Sequence, residues 1–328
     1  MPINVIINYL FAKLLKAPYF KRMNVINAIF PVMFLLGLGS FLKKTGITND
    51  IFLATADKLV YYIFFPAMLF WKIGSAPPGM DMSLGLCLAG LSAVLLVYLA
   101  SLFLIRLLTV PRFQAGAFSQ ACYRFNTYIG MAIVMNTLGE EGVRLFGVLI
   151  GVAIPVINVL AVSTLIWHSG RKEAKGKTIY RLGRALVANP LILACAAGLL
   201  FSRTGLFFPR FIDNTFYLMT AVTMPLALMS IGGALSASGL RDHFRLSMVT
   251  ALAKGLVLPV AGFFTLALFH ITGTAFKAGM IFFALPTSTA IYVLSSQLNS
   301  DTDLASASIM VSTLLSFLSL SVVILFFI

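Results

Sequence analysis

"PVMFLLGLGSFLKKTGI", residues 31–47, and "PLILACAAGLLFSRTGL", residues 190–206, lie 159 positions apart and align without a gap. Pro31 meets Pro190, Gly39 meets Gly198, and Thr45-Gly46 meets Thr204-Gly205. Carried on to residue 74, the same register adds Phe52/Phe211, Leu59/Leu218, Pro66/Pro225, Leu69/Leu228 and Gly74/Gly233. Apolar composition produces chance matches of Leu and Phe, but it does not align Gly, Pro and the Thr beside a Gly. Farther on, at an offset of 160, "NTYIGMAIVMNTLGEE" (126–141) lies over "PTSTAIYVLSSQLNSD" (286–301), so that Asn126-Thr127 meets Pro286-Thr287 and Glu141 meets Asp301. The chain reads as two related units.

What those units are follows from composition. Of 328 residues, 60% are hydrophobic and 10% charged, a balance outside that of soluble globular domains. Apolar stretches recur at 24–42, 53–72, 84–109, 115–138, 143–168, 184–201, 213–236, 246–271, 275–297 and 303–328. Each is long enough for a bilayer core of about 30 Å. They are continuously apolar, whereas a barrel strand alternates over about ten residues, so the spans are helical. The expected fold is an all-α polytopic membrane protein with ten transmembrane helices.

Five spans fall in each repeat: 23–168, then a basic linker at 169–183, then 184–328. Five is odd, so the second unit enters the membrane from the opposite side and the repeat is inverted. Such a pair has two related conformations, one open to each face, which is the architecture of alternating access.

Lys and Arg number 24 against 10 Asp and Glu, a formal charge of +14. The basic residues are scattered among loops instead of forming one face, which argues against nucleic acid and for positive-inside topology. The loop "SGRKEAKGKTIYRLGR" at 169–184 is expected to be cytoplasmic, which turns both termini outward. Lys13, Lys16, Lys21 and Arg22 then sit on the outer side against the rule, so residues 1–22 read as a peripheral helix or an over-extended start. The 24–42 segment ends in Lys43-Lys44 without a small-residue cleavage site, unlike a signal peptide.

Cys87, Cys122 and Cys195 are odd in number, lie inside spans and lack ligand spacing, so they are expected to be packing residues. There is no HExxH, GxSxG or P-loop, and His168, His243 and His270 are far apart in sequence. No enzyme activity, cofactor or metal is expected. Without an ATP site, transport would run on a gradient.

The polar chemistry gathers in spans four and nine. In an inverted-repeat carrier the substrate site is expected near the midplane, where discontinuous helices expose backbone groups. "ACYRFNTYIG" (121–130) carries helix-breaking residues from Asn126 to Gly130, and "ALPTSTAIYVLSSQL" (284–298) carries Pro286 followed by Thr287, Ser288, Thr289, Ser295, Ser296 and Gln297. Arg124 lies about 13 Å from the start of its span at 1.5 Å per residue, near the limit of snorkelling. A guanidinium at a helix centre costs about 2.5–3.5 kcal/mol on insertion scales. Asp57 is the one carboxylate placed within a span, near its start. With no evident buried partner, a substrate carboxylate, gripped by the two parallel donors of the guanidinium, accounts best for Arg124. Lys254 and Arg106, near span ends, are expected to snorkel, and Glu140-Glu141, Asp301 and Asp303 to be solvated turn residues.

"FPVMFLLGLGSFLKKTGI", "YYIFFPAMLFWKIG", "NPLILACAAGLLF", "VTMPLALMSIGGAL" and "ALPTSTAIYVLSSQLNSDTDLASASIMVSTLLS" together resemble the auxin efflux carrier family, in order and spacing, from Met23 onward. The resemblance implies two inverted five-helix repeats, as in bile-acid sodium symporters, with spans one, two, six and seven as a scaffold that often dimerises. The other six spans would form a mobile unit in which the fourth and ninth cross at their breaks, at Asn126 and Pro286. Many members have a proline at both breaks. Here the fourth has none, and "RFNTYIGMA" is expected to open through Asn126 and Gly130.

The expected function is a secondary transporter moving a small organic anion by an elevator-type motion. Arg124, Asn126, Thr127, Pro286, Thr287, Ser288 and Thr289 would form the substrate site, and Pro31, Pro190, Pro66 and Pro225 mark the repeat. Partners are the organic acid, membrane lipid, a coupling proton in preference to sodium, and a second copy through the scaffold. The competing readings are a membrane receptor that binds a carboxylate without moving it, and a sodium-coupled carrier of the bile-acid type.

Overall fold

The computed structural model describes residues 19–75, 84–168, 189–235 and 239–328. All regular structure in these residues is helical: α1 (Tyr19–Lys44), α2 (Asp50–Gly74), α3 (Leu84–Leu107), α4 (Arg112–Tyr123), α5 (Thr127–His168), α6 (Pro190–Arg203), α7 (Arg210–Ala234), α8 (Leu240–Leu268), α9 (Gly273–Ala284), α10 (Ala290–Gln297) and α11 (Thr302–Phe327). Lipid offers no partner to a backbone N–H or C=O, so a long apolar segment satisfies its own groups as helix. The ten expected spans are present. α4 with residues 127–138 is the fourth, residues 140–168 the fifth, and α9 with α10 the ninth. Gly139, at φ 60° and ψ −152°, turns the chain between the fourth and fifth.

Span ends differ from the sequence reading by a few residues. The sixth was expected from 184, whereas α6 starts at Pro190, with the Asn189 side chain accepting from the Leu191 and Ile192 N–H groups. A capping Asn followed by Pro at the first helical position is a strong start signal. Residues 1–18, most of the proposed 1–22 extension, and the linker 169–183 lie outside the described residues.

The inverted repeat is written into the packing. α1 lies along α7, and α6 lies along α2, both in extensive helix pairings. Gly39 sits so close to the Met229 carbonyl that no side chain would fit between them. Its repeat mate Gly198 has the Phe70 carbonyl 3.0 Å from where a Cβ would lie. Phe70 and Met229 are themselves 159 positions apart, so each repeat lends the other the same contact. Small residues permit this approach of two backbones, and dispersion over the apposed surfaces then holds helices that gain no hydrophobic drive in lipid.

The turns repeat as well. α1 and α6 both end with a threonine whose hydroxyl donates back into the last turn, Thr45 to Leu42 O and Thr204 to Phe201 O, followed by Gly46 and Gly205 at φ 77° and 68°. At the offset of 160, Gln114 Nε2 donates to Asp301 Oδ2 (3.1 Å) while Thr274 Oγ1 donates to Glu141 Oε2 (2.9 Å). The start of each broken span is thus tied to the turn that closes the other. Asp301 is a correction to the sequence reading: it is buried, and it caps α11 by accepting from the Leu304 N–H.

Two π-helical turns interrupt the spans, Val60–Phe64 in α2 and Ala253–Val257 in α8. Each immediately precedes a helix segment with proline in its first turn, Pro66 and Pro259. Proline lacks the N–H for the carbonyl four residues back and its ring collides with it; the wider turn relieves both.

Cys87, Cys122 and Cys195 are free and buried, as expected of packing residues. Native protein in vesicles should therefore react with none of its thiols towards a membrane-impermeant maleimide and label fully in detergent denaturant. Rapid labelling before denaturation would contradict the packing around Cys122, whose thiol lies against Phe118 O.

Candidate functional site

The fourth span stops being helical after Tyr123 and resumes at Thr127. Arg124 takes an extended conformation at the end of α4, and Asn126 supplies what proline supplies elsewhere. Its side-chain oxygen accepts from the Tyr128 and Ile129 N–H groups (3.1 and 3.2 Å), capping the new helix, while its own N–H leaves the ladder and donates to Pro286 O at 2.9 Å. Gly130 is a correction: it lies inside α5, not in the break. A Cβ there would stand 2.5 Å from Phe146 and 2.6 Å from Leu285, so glycine serves close packing against the other broken span.

The ninth span breaks between Ala284 and Ala290 around Pro286. Several of the freed groups find partners on other helices. Ala284 O accepts from Ser319 Oγ (3.0 Å), Phe283 O from Lys254 Nζ (3.2 Å), and the Thr287 N–H donates to Ser312 Oγ (2.9 Å). Thr287 Oγ1 donates across to Ala121 O at 2.9 Å. Two bonds therefore join the breaks directly, Asn126 N–H to Pro286 O and Thr287 Oγ1 to Ala121 O. The crossing of spans four and nine expected from the repeat is present.

Four half-helices meet here. α4 and α9 bring C-terminal ends with partial negative charge, α5 and α10 bring N-terminal ends with partial positive charge. Arg124, Asn126, Pro286 and Thr287 are buried, and Thr127, Ser288 and Thr289 are half-buried. Arg124 is 7% exposed, and its Nε and Nη1 have no hydrogen-bond partner. No ion pair joins it to Asp57 or to another acid among the described residues. Tyr61, from the π turn of α2, and Tyr123 lie within electrostatic reach of the guanidinium. Nearby polar atoms are also unpaired: Gln120 Oε1 one turn before Arg124, and Ser295 Oγ on α10, which packs against α4. A buried charge with idle donors is expensive unless something else completes it.

Sequence reading missed Gln120, Ser312, Ser319 and above all Lys254. A glutamine within a span was a usable signal for the first. The serines sit in apolar helices where small polar residues are ordinary, and Lys254 was placed near a span end. It does not snorkel: it is fully buried and bonded to Phe283 O. A cleft of about 430 Å³ exists at the α8–α9 turn, lined by Phe263, His270 and Phe276 among others, and it touches none of the residues at the crossing.

Residues 177–324, nearly all of the second repeat, match the model of the family described as membrane transport protein. The first repeat is tied to the second by the packing and turns just described. The chain is also similar to an uncharacterized transporter of Methanocaldococcus jannaschii, 23% identical over 303 residues that cover 89% of this chain and 95% of that one. These likenesses support a transporter of the auxin efflux carrier type. With its apolar helices the chain is an integral membrane transporter, and its fourth span breaks without a proline.

The Thr287 bond offers a local test. Thr287→Val keeps the shape and leaves Ala121 O and the crossing without their link, at an expected cost of about 1–3 kcal/mol. Asn126→Ala should cost about 0.5–2 kcal/mol through the lost cap. Melting of the purified variants checks both, and additive effects in the double variant would mean that the two bonds do not act as one crossing.

Proposed function

We propose that the chain is a secondary carrier for a small carboxylate. The observation that carries this reading is Arg124, a buried guanidinium with unpaired donors at the end of a broken helix. Its planar fork suits a carboxylate, which would accept two parallel charge-assisted bonds. Asn126, Thr127, Thr287, Ser288 and Thr289 surround the same breaks, and the N-terminal ends of α5 and α10 add positive potential for an anion. Because Tyr61 belongs to the second span, the anion would sit between the scaffold (spans one, two, six and seven) and the unit that carries the breaks. That location fits an elevator-type displacement of one against the other, with the scaffold as the dimer surface.

The basic segment at 169–184 lies on the cytoplasmic side in this reading, both termini face outward, and the membrane is a plasma membrane or bacterial inner membrane. Movement is coupled to protons or uncoupled.

Flux of labelled small mono- and dicarboxylates into proteoliposomes under imposed pH and sodium gradients tests the proposal. Saturable uptake of a carboxylate, competed by its unlabelled form, is expected. Binding of the same acid without flux would replace the carrier by a receptor.

A further inference from the structure

Lys254 is the other cation buried at the crossing, and the anion reading leaves it unused. It stands in the π turn of α8, which packs against α4, α9 and α11. The side chain is 0% exposed, and its one hydrogen bond among the described residues goes to Phe283 O, one residue before the end of α9. No carboxylate is among its partners.

Hydrogen bonding alone does not account for a lysine at this place. The adjacent freed carbonyl, Ala284 O, is satisfied by the neutral hydroxyl of Ser319, which lies beside Gly255 in the next position of the same π turn. A neutral hydroxyl is thus enough for a freed carbonyl of this helix end. What an ammonium adds is a full positive charge at the negative end of a half-helix. In discontinuous spans of gradient-driven carriers, such half-helix C-terminal ends are where coupling cations bind. The fourth span follows the same pattern, with Arg124 at the C-terminal end of α4. Each negative helix end at the crossing thus carries a covalently attached cation close by, Arg124 as the residue that ends α4 and Lys254 through its bond to Phe283 O.

We propose that Lys254 is a resident cation for the ninth span's break. Its ammonium stands where a diffusible sodium ion would otherwise be needed to complete the site, so the carrier moves its anion without sodium. This rests on the carboxylate-carrier reading for its flux consequence, but not for its binding consequence. Lys254 is a positioning residue here: it holds the end of α9, and with it Pro286 and Thr287, in the arrangement that Asn126 and Ala121 recognise.

The test compares purified wild type, Lys254→Met and Lys254→Ala in sodium, potassium and choline chloride at equal ionic strength, with and without propylammonium. Wild-type melting and flux should be the same in all three salts. Both variants should lose roughly tenfold or more in flux and melt earlier, because a charged partner of a buried carbonyl is gone. In Lys254→Ala, propylammonium, or sodium entering the vacated space, should restore yield, melting and flux, with no such effect on wild type. Sodium-dependent stabilisation or flux of wild type would overturn the proposal. So would Lys254→Met behaving as wild type, or failure of both cations to restore any property of Lys254→Ala. If wild type moves no carboxylate in any salt, the carrier reading fails while the melting comparison still decides the role of Lys254.

Discussion

Arg124→Gln is expected to lower carboxylate flux by two orders of magnitude or more and, at the same time, to raise the melting temperature of the ligand-free protein. The two effects share one cause. In the empty site the guanidinium is buried with Nε and Nη1 unpaired, and an uncompensated charge at a helix centre costs about 2.5–3.5 kcal/mol. Glutamine removes that cost, and the fold recovers part of it. A bound carboxylate would complete the charge, and losing one partner of a buried charged pair costs about 2–5 kcal/mol. Arg124→Lys should fall between, since it keeps the charge and loses the fork. Uptake of labelled acid and melting, measured on the same preparations, separate the possibilities. Undiminished flux in Arg124→Gln removes Arg124 from the site. Lost flux with a lowered melting temperature makes its role structural.

Gly39→Leu and Gly232→Leu are expected to be the most destabilising single substitutions in α1 and α7. A Cβ at Gly39 meets the Met229 carbonyl, and one at Gly232 meets the Leu36 carbonyl; both obstacles are backbone within helices and cannot rotate away. α1 must then move off α7. Overpacking of this kind costs about 1–3 kcal/mol and more where nothing can relax. Gly37 provides the control on the same helix: a Cβ there meets nothing within 4 Å. Gly37→Ala should be neutral or stabilising by about 0.5–1 kcal/mol, from helix propensity alone. Melting and size-exclusion profiles check the contrast. Equal effects at Gly37 and Gly39 would mean that the close approach of α1 and α7 does not hold in the membrane.

Much of this was legible before any coordinate. The pairs Pro31/Pro190, Gly39/Gly198 and Thr45-Gly46/Thr204-Gly205 mark backbone geometries that few residues tolerate, so they survive in the sequence where apolar packing residues drift. Pro286 announced its own break, because a missing N–H in lipid needs a new partner wherever it falls. Arg124 stood out for the same reason in charge form: lipid makes a buried guanidinium too costly to be incidental.

Other features were not legible, and the reason is rotational. Hydropathy places a residue along a helix axis but does not say which way its side chain faces, and a π turn shifts that direction by part of a turn. Lys254 was thus placed correctly within the eighth span and wrongly assigned to snorkelling; its bond to Phe283 O exists because the π turn before Pro259 aims it inward. Gly130 resembled a hinge from composition, yet it is a close-packing position, fixed by where Phe146 and Leu285 come to lie. Asp301 looked like a turn carboxylate, and only the crossing of spans four and nine brings Gln114 to it.

By itself the sequence determined the ten spans, their inverted pairing and the two places where helices break, because lipid leaves the backbone few ways to satisfy itself. The tertiary structure decided which freed carbonyl meets which donor, and that Lys254 bonds a broken helix end while Arg124 Nε and Nη1 stay unpaired. Those outcomes depend on side chains from helices more than a hundred residues apart in sequence arriving at one point, which no local pattern encodes.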